Sequence, residues 1–272
     1  MIGRDRIEYK TPDQVRTMRR AGLVVADALA AARAAIRPGV TTRELDEIAS
    51  GVIAGAGATS NFLGYHGYPA TLCISVNHEI VHGIPGNRVI EPGDIVSVDG
   101  GAVVDGWHGD SAFSVVVEPT DPADVALVSA CEDALWAGIA ALSRAERLGE
   151  VGAAIEDAVR AAGDYGIVRE YVGHGIGTAM HQPPEVLNYR ARDKGPRIRP
   201  GLCVAIEPMI TRGGRGTEVL DDGWTVVTAD ASRAAHAEHT VAVLEDGVWV
   251  LTAPDGGAER LAARGVRVAA LD

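Results

Sequence analysis

The predicted order of secondary-structure elements repeats along the chain, and this repetition constrains the fold more than any single motif. A long helix, a shorter helix and then strands are predicted twice, roughly 110 residues apart, without obvious residue identity. Capping boxes at Thr11–Gln14 and Thr41–Glu44 begin the first two helices, and helical patterns at about 123–143 and 150–162 give the second pair. The simplest architecture is two similar α/β halves that share one sheet, with helices outside. A site between the halves would take side chains from both.

Short apolar and β-branched runs predict the strands. They lie at residues 71–76, 168–172, 201–207 and 240–244, and the glycine-rich residues 61–70 predict a loop. These strands would supply the shared sheet.

The stretch VSVDGGAVVDGWHGD, residues 96–110, predicts a β-hairpin. Asp105 and Gly106 form a strong two-residue turn signal. Such a turn places Asp99 opposite residue 112, with Asp110 as its diagonal neighbour on the same face. Diagonal neighbours lie roughly 7 to 8 Å apart, which allows the two carboxylates to converge on a cation. The alternative is a pair of solvated strand aspartates, since Asp is common beside turns.

Composition limits the partners and the compartment. The 272 residues fit one large domain or two small ones, and a net charge of -12 argues against nucleic acid or an anionic membrane as the main partner. The first ten residues are charged where a signal peptide is apolar, and no segment approaches the roughly 20 apolar residues of a membrane span. We therefore expect a cytoplasmic protein. Three widely spaced cysteines suggest reduced thiols, and none forms a CxxC pair.

Residues 78–82 contain the sequence HExxH. This motif binds zinc when both histidines lie one turn apart on one helix face. The β-branched run before it and Gly83 and Pro85 after it argue against a helix. We interpret His82 as a site residue and His78 as a surface residue, with a helical zinc site as the less favoured alternative.

His174 lies within GHGIG, directly after a predicted strand. A dinucleotide-binding loop would need a third glycine where Thr178 stands and a long helix after it. The glycines instead allow the backbone to approach a ligand toward which His174 points. For this histidine alone, a purely structural role is an equal alternative.

Glu207 ends one apolar strand, and Glu238 begins another. A buried carboxylate must be paired, protonated or bound to a metal, and the only nearby arginines in sequence are Arg212 and Arg233. Together with Asp99, Asp110 and His174, these glutamates make four carboxylates and one imidazole beside predicted strands. Such a set suits a pair of divalent ions that activate a water.

Five motifs, HGIP, VDG followed by HGD, GHGIG followed by HxxP, IEPM and EHT, together resemble the type I methionine aminopeptidases, a subfamily of peptidase family M24. The resemblance covers essentially the whole chain. It implies the pita-bread α/β fold with two pseudo-twofold-related halves, as a single catalytic domain over residues 1–272 with a short N-terminal segment at about 1–10. It also implies two divalent ions per chain, which would be cobalt, manganese, iron or zinc. The implied metal ligands are Asp99, Asp110, His174, Glu207 and Glu238, with Asp110 and Glu238 bridging.

The resemblance further implies hydrolytic removal of the initiator methionine from nascent proteins whose second residue is small. By it, His181 polarises the developing oxyanion, Glu207 moves a proton, and His82 contacts the amide near the leaving nitrogen. The positions that match the methionine pocket are Tyr68, Cys73 and Trp224. The family precedent is a cytoplasmic monomer acting on nascent N-termini at the ribosome, without nucleic acid or membrane as a ligand.

Two departures from the family pattern concern the shape of the pocket. Met180 stands where bacterial relatives often carry an aromatic residue, and Gln182-Pro183 replaces a more acidic pair. Neither removes a ligand.

Two other functions remain open at this point. An X-Pro peptidase of the same fold would share the metal ligands, but would be expected to carry a large domain ahead of them. A non-catalytic pita-bread protein that binds peptides, histones or RNA would be expected to have lost ligands.

Overall fold

The computed structural model describes residues 6–271, which form five α-helices, one short 3₁₀ helix (Tyr65–Gly67) and fifteen strands. The helices are α1 (Pro12–Ala35), α2 (Thr42–Gly55), α3 (Pro122–Leu142), α4 (Gly149–Ala162) and the short α5 (Ala258–Ala262). The strands are β1 (Thr59–Ser60), β2 (Leu72–Val76), β3 (Glu79–Val81), β4 (Ile95–Val104), β5 (Trp107–Val116), β6 (Gly166–Ile167), β7 (Gly173–Gly175), β8 (Gln182–Val186), β9 (Cys203–Ile206), β10 (Met209–Thr211), β11 (Thr217–Val219), β12 (Val226–Thr228), β13 (Ala234–His236), β14 (Glu238–Leu244) and β15 (Gly247–Val250).

Both predicted capping boxes form. The Thr11 hydroxyl accepts a hydrogen bond from the Gln14 amide, and the Gln14 side chain accepts one from the Thr11 amide. Thr41 and Glu44 make the same reciprocal pair at the start of α2. These caps satisfy amides that a helix leaves without partners, and they explain why the predicted helix starts are confirmed.

One antiparallel sheet of nine strands joins the two halves. Its order is β1-β4-β5-β14-β9-β7-β8, with β2 paired to β4 and β15 paired to β14. The pairing of β5 with β14 links the strands of the first half to those of the second. Helices α1 and α2 cover the first half, and α3 and α4 cover the second, each over its own apolar core. The predicted architecture of two α/β halves on a shared sheet is confirmed.

The predicted hairpin also forms in the predicted register. Asp99 lies opposite Ala112, and Asp110 lies opposite Gly101. At the turn, Asp105 and Gly106 both have positive φ, 51° and 79°, which is the backbone of a type I′ turn. The turn therefore fixes which face of the sheet the two aspartates occupy.

The prediction of a strand at residues 168–172 is wrong. Strand β6 ends at Ile167, and β7 begins only at Gly173. Val168 makes a backbone hydrogen bond to Met209, while Tyr171 packs its ring against His82. These apolar side chains are covered by neighbouring side chains outside a sheet ladder, a situation that a short apolar run cannot distinguish from a strand.

Helix α3 corrects another expectation. It has 21 residues and a mean hydropathy of 1.6 in its most apolar window, so it is long and apolar enough to cross a bilayer. The expectation that no segment approaches a membrane span is therefore wrong for α3. In this fold 56% of that window is buried, and α3 packs with α4 over the sheet of the second half. The N-terminal segment predicted at about 1–10 lies partly outside the described residues, which begin at residue 6.

Candidate metal centre

Adjacent strands bring the five predicted ligands to one place in the sheet. Asp99 lies on β4, Asp110 on β5, His174 on β7 and Glu238 at the start of β14, and Glu207 directly follows β9. One ligand atom from each of Asp110, His174 and Glu238 lies within 4.8 Å of the others. His174 Nε2 is 3.5 Å from Glu207 Oε1. All five residues line one cavity of about 110 Å³.

Burial makes this group of acids electrostatically costly without a cation. Asp110 is only 3% exposed and Glu238 only 2%. Burial raises the pKa of Asp110 to about 7. The pKa values of Asp99, Glu207 and Glu238 rise well above the ordinary range, first because of burial and then because of repulsion by neighbouring carboxylates. Burial, with a contribution from nearby His181, lowers the pKa of His174 to about 3, so its imidazole is neutral and able to ligate.

Orphaned oxygen atoms show that the residues present fit a metal. Within the described part of the chain, Asp99 Oδ1, Asp110 Oδ1 and Glu238 Oε1 are buried and have no hydrogen-bond partner. Buried polar atoms without partners are rare in native proteins. His174 Nδ1 lies 3.0 Å from the Gly175 carbonyl oxygen, and a proton on Nδ1 would leave Nε2 free for a metal. Carboxylate oxygens with one imidazole nitrogen suit a first-row divalent ion.

The two other histidines named by the sequence lie at the edge of the same cavity. The His181 ring is 4.4 Å from the His174 ring, and its Nδ1 is 2.9 Å from the Tyr65 hydroxyl. His82 follows β3 with φ of 62°. Burial, together with nearby His181, lowers the pKa of His82 to about 4.

The helical zinc interpretation of HExxH is wrong. The glutamate of the motif begins strand β3, so His78 and His82 do not share a helix face. Glu79 accepts a hydrogen bond from the Val76 amide and forms an ion pair with Arg88. The motif match is accidental.

An apolar wall borders the candidate metal ligands. The rings of Tyr68 and Trp224 are 5.1 Å apart, and Tyr68 donates to the carbonyl oxygens of Leu72 and Gly83. Cys73 belongs to the same buried cluster, and burial raises its pKa. Two more residues, Phe62 and Met180, complete this wall. The residues predicted for the methionine pocket therefore lie together, and their role stays a prediction.

Three residues that lie beside the candidate ligands were not predicted from the sequence. His236 places Nε2 3.8 Å from Glu207 and 3.9 Å from Glu238. Tyr65 holds His181, and Asn61 donates to the Gly109 carbonyl beside Asp110. His236 precedes Glu238 by two residues, and this spacing could have indicated a shared face.

Comparison with known proteins gives the family. The profile of metallopeptidase family M24 matches residues 16–245. The chain belongs to metallopeptidase family M24. A curated relative, methionine aminopeptidase 1 of Mycobacterium tuberculosis, is 51% identical over 256 residues, which are 92% of this chain and 96% of the relative. The crystal structure of methionine aminopeptidase from Thermotoga maritima superposes with a TM-score of 0.88 at 40% identity, covering 91% of this chain and 99% of that one.

The resemblance stated from the motifs is confirmed, and membership of family M24 makes the chain a metal-dependent peptidase. Prolidase from Pyrococcus furiosus also superposes, with a TM-score of 0.72 over 90% of this chain and 65% of that one, at 22% identity. That likeness concerns the fold alone. It supports the predicted pita-bread architecture, which the M24 chain shares with both kinds of peptidase.

Proposed function

We propose that this M24 peptidase removes the N-terminal methionine from nascent proteins whose second residue is small. The observation that carries the proposal is one small cavity that joins a buried group of four carboxylates and an imidazole to an apolar wall of Tyr68 and Trp224. The printed names of the relatives support the same activity.

Asp99, Asp110, His174, Glu207 and Glu238 would hold two divalent ions. When bound, the ions supply Lewis acidity at the scissile carbonyl and lower the pKa of a water nucleophile. Manganese, iron, cobalt and zinc all accept such a ligand set, and their supply would decide among them.

His181 would stabilise the oxyanion that develops on the scissile carbonyl. The Tyr65 hydroxyl, 2.9 Å from Nδ1, can donate to that atom and so keep the proton on Nε2. Nε2 is then a neutral donor at the cavity edge, where a donor aimed at the developing charge lowers the barrier. His82, neutral because burial lowers its pKa, would contact the amide near the leaving nitrogen.

Glu207 would move the proton. Its carboxylate lies between His174 and His236 and lines both the cavity and the open groove that leads to it. A carboxylate at this place can accept a proton from the water nucleophile and release it to the leaving nitrogen.

The apolar wall would bind the methionine side chain. A narrow closed slot suits an unbranched thioether, which adapts to irregular apolar space. Tyr68, Cys73 and Trp224 would contact the thioether, and Met180 would replace the flat surface of an aromatic residue by a flexible one.

The substrate would be the N-terminus of a chain leaving the ribosome in the cytoplasm, and the enzyme would act as a monomer.

A peptide panel tests this function. Metal-loaded protein is expected to release free methionine from a Met-Gly-led peptide and far less from a Met-Leu-led peptide, with no cleavage of an Ala-Pro-led peptide. Cleavage of the Ala-Pro-led peptide would indicate an X-Pro peptidase. Binding of peptides without turnover at any metal concentration would indicate a binding protein.

A further inference from the structure

The extended segment before α1, residues 6–11, is held against the loop that carries His181. We refer to residues 6–11 as the N-terminal arm, and to residues 176–181, which connect β7 to β8, as the His181 loop. The arm includes Lys10, one of two lysines in the chain. The Lys10 side chain is only 1% exposed. A buried ammonium is costly unless nearby groups compensate its charge, so its partners indicate what the arm is built to hold.

Lys10 contacts Glu8 and Gln182, and Glu8 in turn contacts Thr178 of the His181 loop and Gln182, which follows the loop at the start of β8. Lys10 Nζ donates to the Glu8 carbonyl at 2.9 Å and to Gln182 Oε1 at 3.4 Å. The Glu8 carboxylate accepts hydrogen bonds from the Thr178 amide at 3.1 Å and from its hydroxyl at 2.8 Å. It also accepts one from Gln182 Nε2 at 2.7 Å. Glu8 and Lys10 thus bind the chain three residues before His181 and one residue after it.

Gly177 and Gly201 allow the arm to pack closely, because a side chain at either position would collide with it. A Cβ at Gly177 would lie 2.2 Å from Glu8 Oε2 and 2.4 Å from Lys10 Cε. A Cβ at Gly201 would lie 2.5 Å from the Lys10 carbonyl oxygen, and Gly201 accepts a 2.7 Å hydrogen bond from the Lys10 amide. The arm therefore fits a closely matched surface.

The same loop also contacts the candidate active site. Its last residue, His181, contacts Tyr65 and stacks edge-on against His174. Ile7 of the arm and Gln182 line the open groove beside His181 and Glu207. The His181 loop has no regular secondary structure. Backbone hydrogen bonds hold its first two residues, from the Ile176 amide to Cys203 and from the His108 amide to Gly177. The side chains of the arm hold the part of the loop from Thr178 onward.

We infer that the Glu8–Lys10 pair of the N-terminal arm is a positioning element that sets the place of the His181 imidazole over the metal centre. This inference rests on the proposed function, in which His181 donates to the developing oxyanion. Such a donor acts in the transition state, so its displacement lowers kcat more than it changes KM.

A double-mutant cycle tests the inference in the metal-loaded, full-length enzyme. Glu8→Ala is expected to lower kcat for a Met-Gly-led peptide by about tenfold, since a misplacement of roughly 1 Å can cost up to a hundredfold. In a His181→Ala background, Glu8→Ala is expected to leave kcat unchanged, because the group that it positions is already absent. Lys10→Met should behave as Glu8→Ala does. The control is Asp157→Asn on α4, which weakens an exposed ion pair with Arg190 and should leave kcat unchanged.

A loss of kcat that is equal in both backgrounds would overturn the inference, because it would reflect general damage to the fold or to metal binding. An unchanged kcat for Glu8→Ala in the native background would also overturn it. If Glu8→Ala fails to fold, Glu8→Gln keeps the shape and weakens the charge-assisted hydrogen bonds, and the same comparison applies.

A second readout does not depend on activity. The imidazole nitrogen resonances of His181 in a ¹⁵N-labelled protein should shift in Glu8→Ala, while those of His78, which lies at the turn between β2 and β3, stay in place. Unmoved His181 resonances would overturn the inference. Native enzyme that releases no methionine would instead contradict the proposed function, so the two failures are distinguishable.

Discussion

At the scale of single residues, burial keeps His82 neutral and makes it a source of pH dependence. The pKa of His82 is lowered to about 4 in the fold, whereas an unfolded histidine has a pKa near 6.5. As the pH falls through 6.5, the unfolded chain binds a proton that the folded chain does not take up until about pH 4. The free energy of unfolding therefore falls over this window, by up to roughly 1.4 kcal/mol per pH unit from this group.

Replacing His82 removes this contribution. His82→Asn tolerates the positive φ of this position and does not titrate. In metal-free protein, its free energy of unfolding should fall less steeply between pH 6.5 and pH 4 than that of the native chain. Urea unfolding at several pH values measures both slopes. Groups that His82 does not influence cancel in the difference, whereas His236, whose pKa is lowered by burial and by His82, contributes a smaller change of its own. Parallel slopes would contradict the lowered pKa.

The proposed ligands have stronger signals in the sequence than the residues that surround them. Asp99 and Asp110 follow from a turn signal, and the motif resemblance pointed to all five proposed ligands. Tyr65 and Asn61 lie in a glycine-rich loop without periodicity, so nothing local indicates where their side chains point. The spacing of His236 to Glu238 could have indicated that they share a face, but the approach of His236 to Glu207 depends on pairing between strands that are distant in the sequence.

At the level of helices and strands, two glycines in helix interiors differ in whether the fold leaves space for a side chain. A Cβ at Gly22 of α1 would lie 2.3 Å from the Leu251 carbonyl oxygen, whereas a Cβ at Gly51 of α2 meets nothing within 4 Å. Glycine in an exposed helix is about 1 kcal/mol less favourable than alanine. Overpacking against a fixed backbone costs roughly 1 to 3 kcal/mol. The helix α1 therefore needs this glycine to pack against the chain at Leu251, directly after β15.

This difference predicts opposite effects from the same substitution. Gly51→Ala should raise the free energy of unfolding by about 0.5 to 1 kcal/mol, and Gly22→Ala should lower it by about 1 kcal/mol or more. Urea unfolding of the two variants beside the native chain measures both. Equal effects in one direction would contradict the close packing of α1 on the chain at Leu251.

Elements with strong local signals were predicted well, and elements defined by distant contacts were not. The capping boxes at Thr11 and Thr41 and the turn at Asp105 specify their own geometry from adjacent residues. Residues 168–172 have the apolar content of a strand but make one ladder-like bond to Met209, and the rest of their burial comes from side chains of other elements. No local pattern contains that information.

At the scale of the whole molecule, the two halves bring like charges together at their junction. The strands β4 and β5 of one half and β7, β9 and β14 of the other each end or pass beside the cavity. Without a cation, the acids there repel one another and some hold protons. Metal binding should therefore stabilise the assembled fold, because an unfolded chain has no such site.

The predicted result is a rise in the unfolding temperature with added manganese or cobalt. A ligand at a hundred times its Kd contributes about 2.7 kcal/mol. Asp110→Asn should unfold at no lower a temperature than native protein when both are metal-free, because one repelling charge is absent. The rise in unfolding temperature that added metal causes should be much smaller in Asp110→Asn than in native protein. Asp157→Asn should keep the native rise, and a full rise in Asp110→Asn would contradict the assignment of Asp110 as a ligand.

The proposed metal centre is tested most directly by a metal titration in which calorimetry follows ion binding and methionine release follows activity. Metal-free protein is titrated with manganese in the presence of a Met-Gly-led peptide, with Asp110→Asn treated in parallel. We predict that release rises as the ions bind, reaches its maximum when the two proposed ions per chain are bound, and is abolished in the variant. Methionine release that needs no metal, or that survives in Asp110→Asn, would contradict the proposed metal centre.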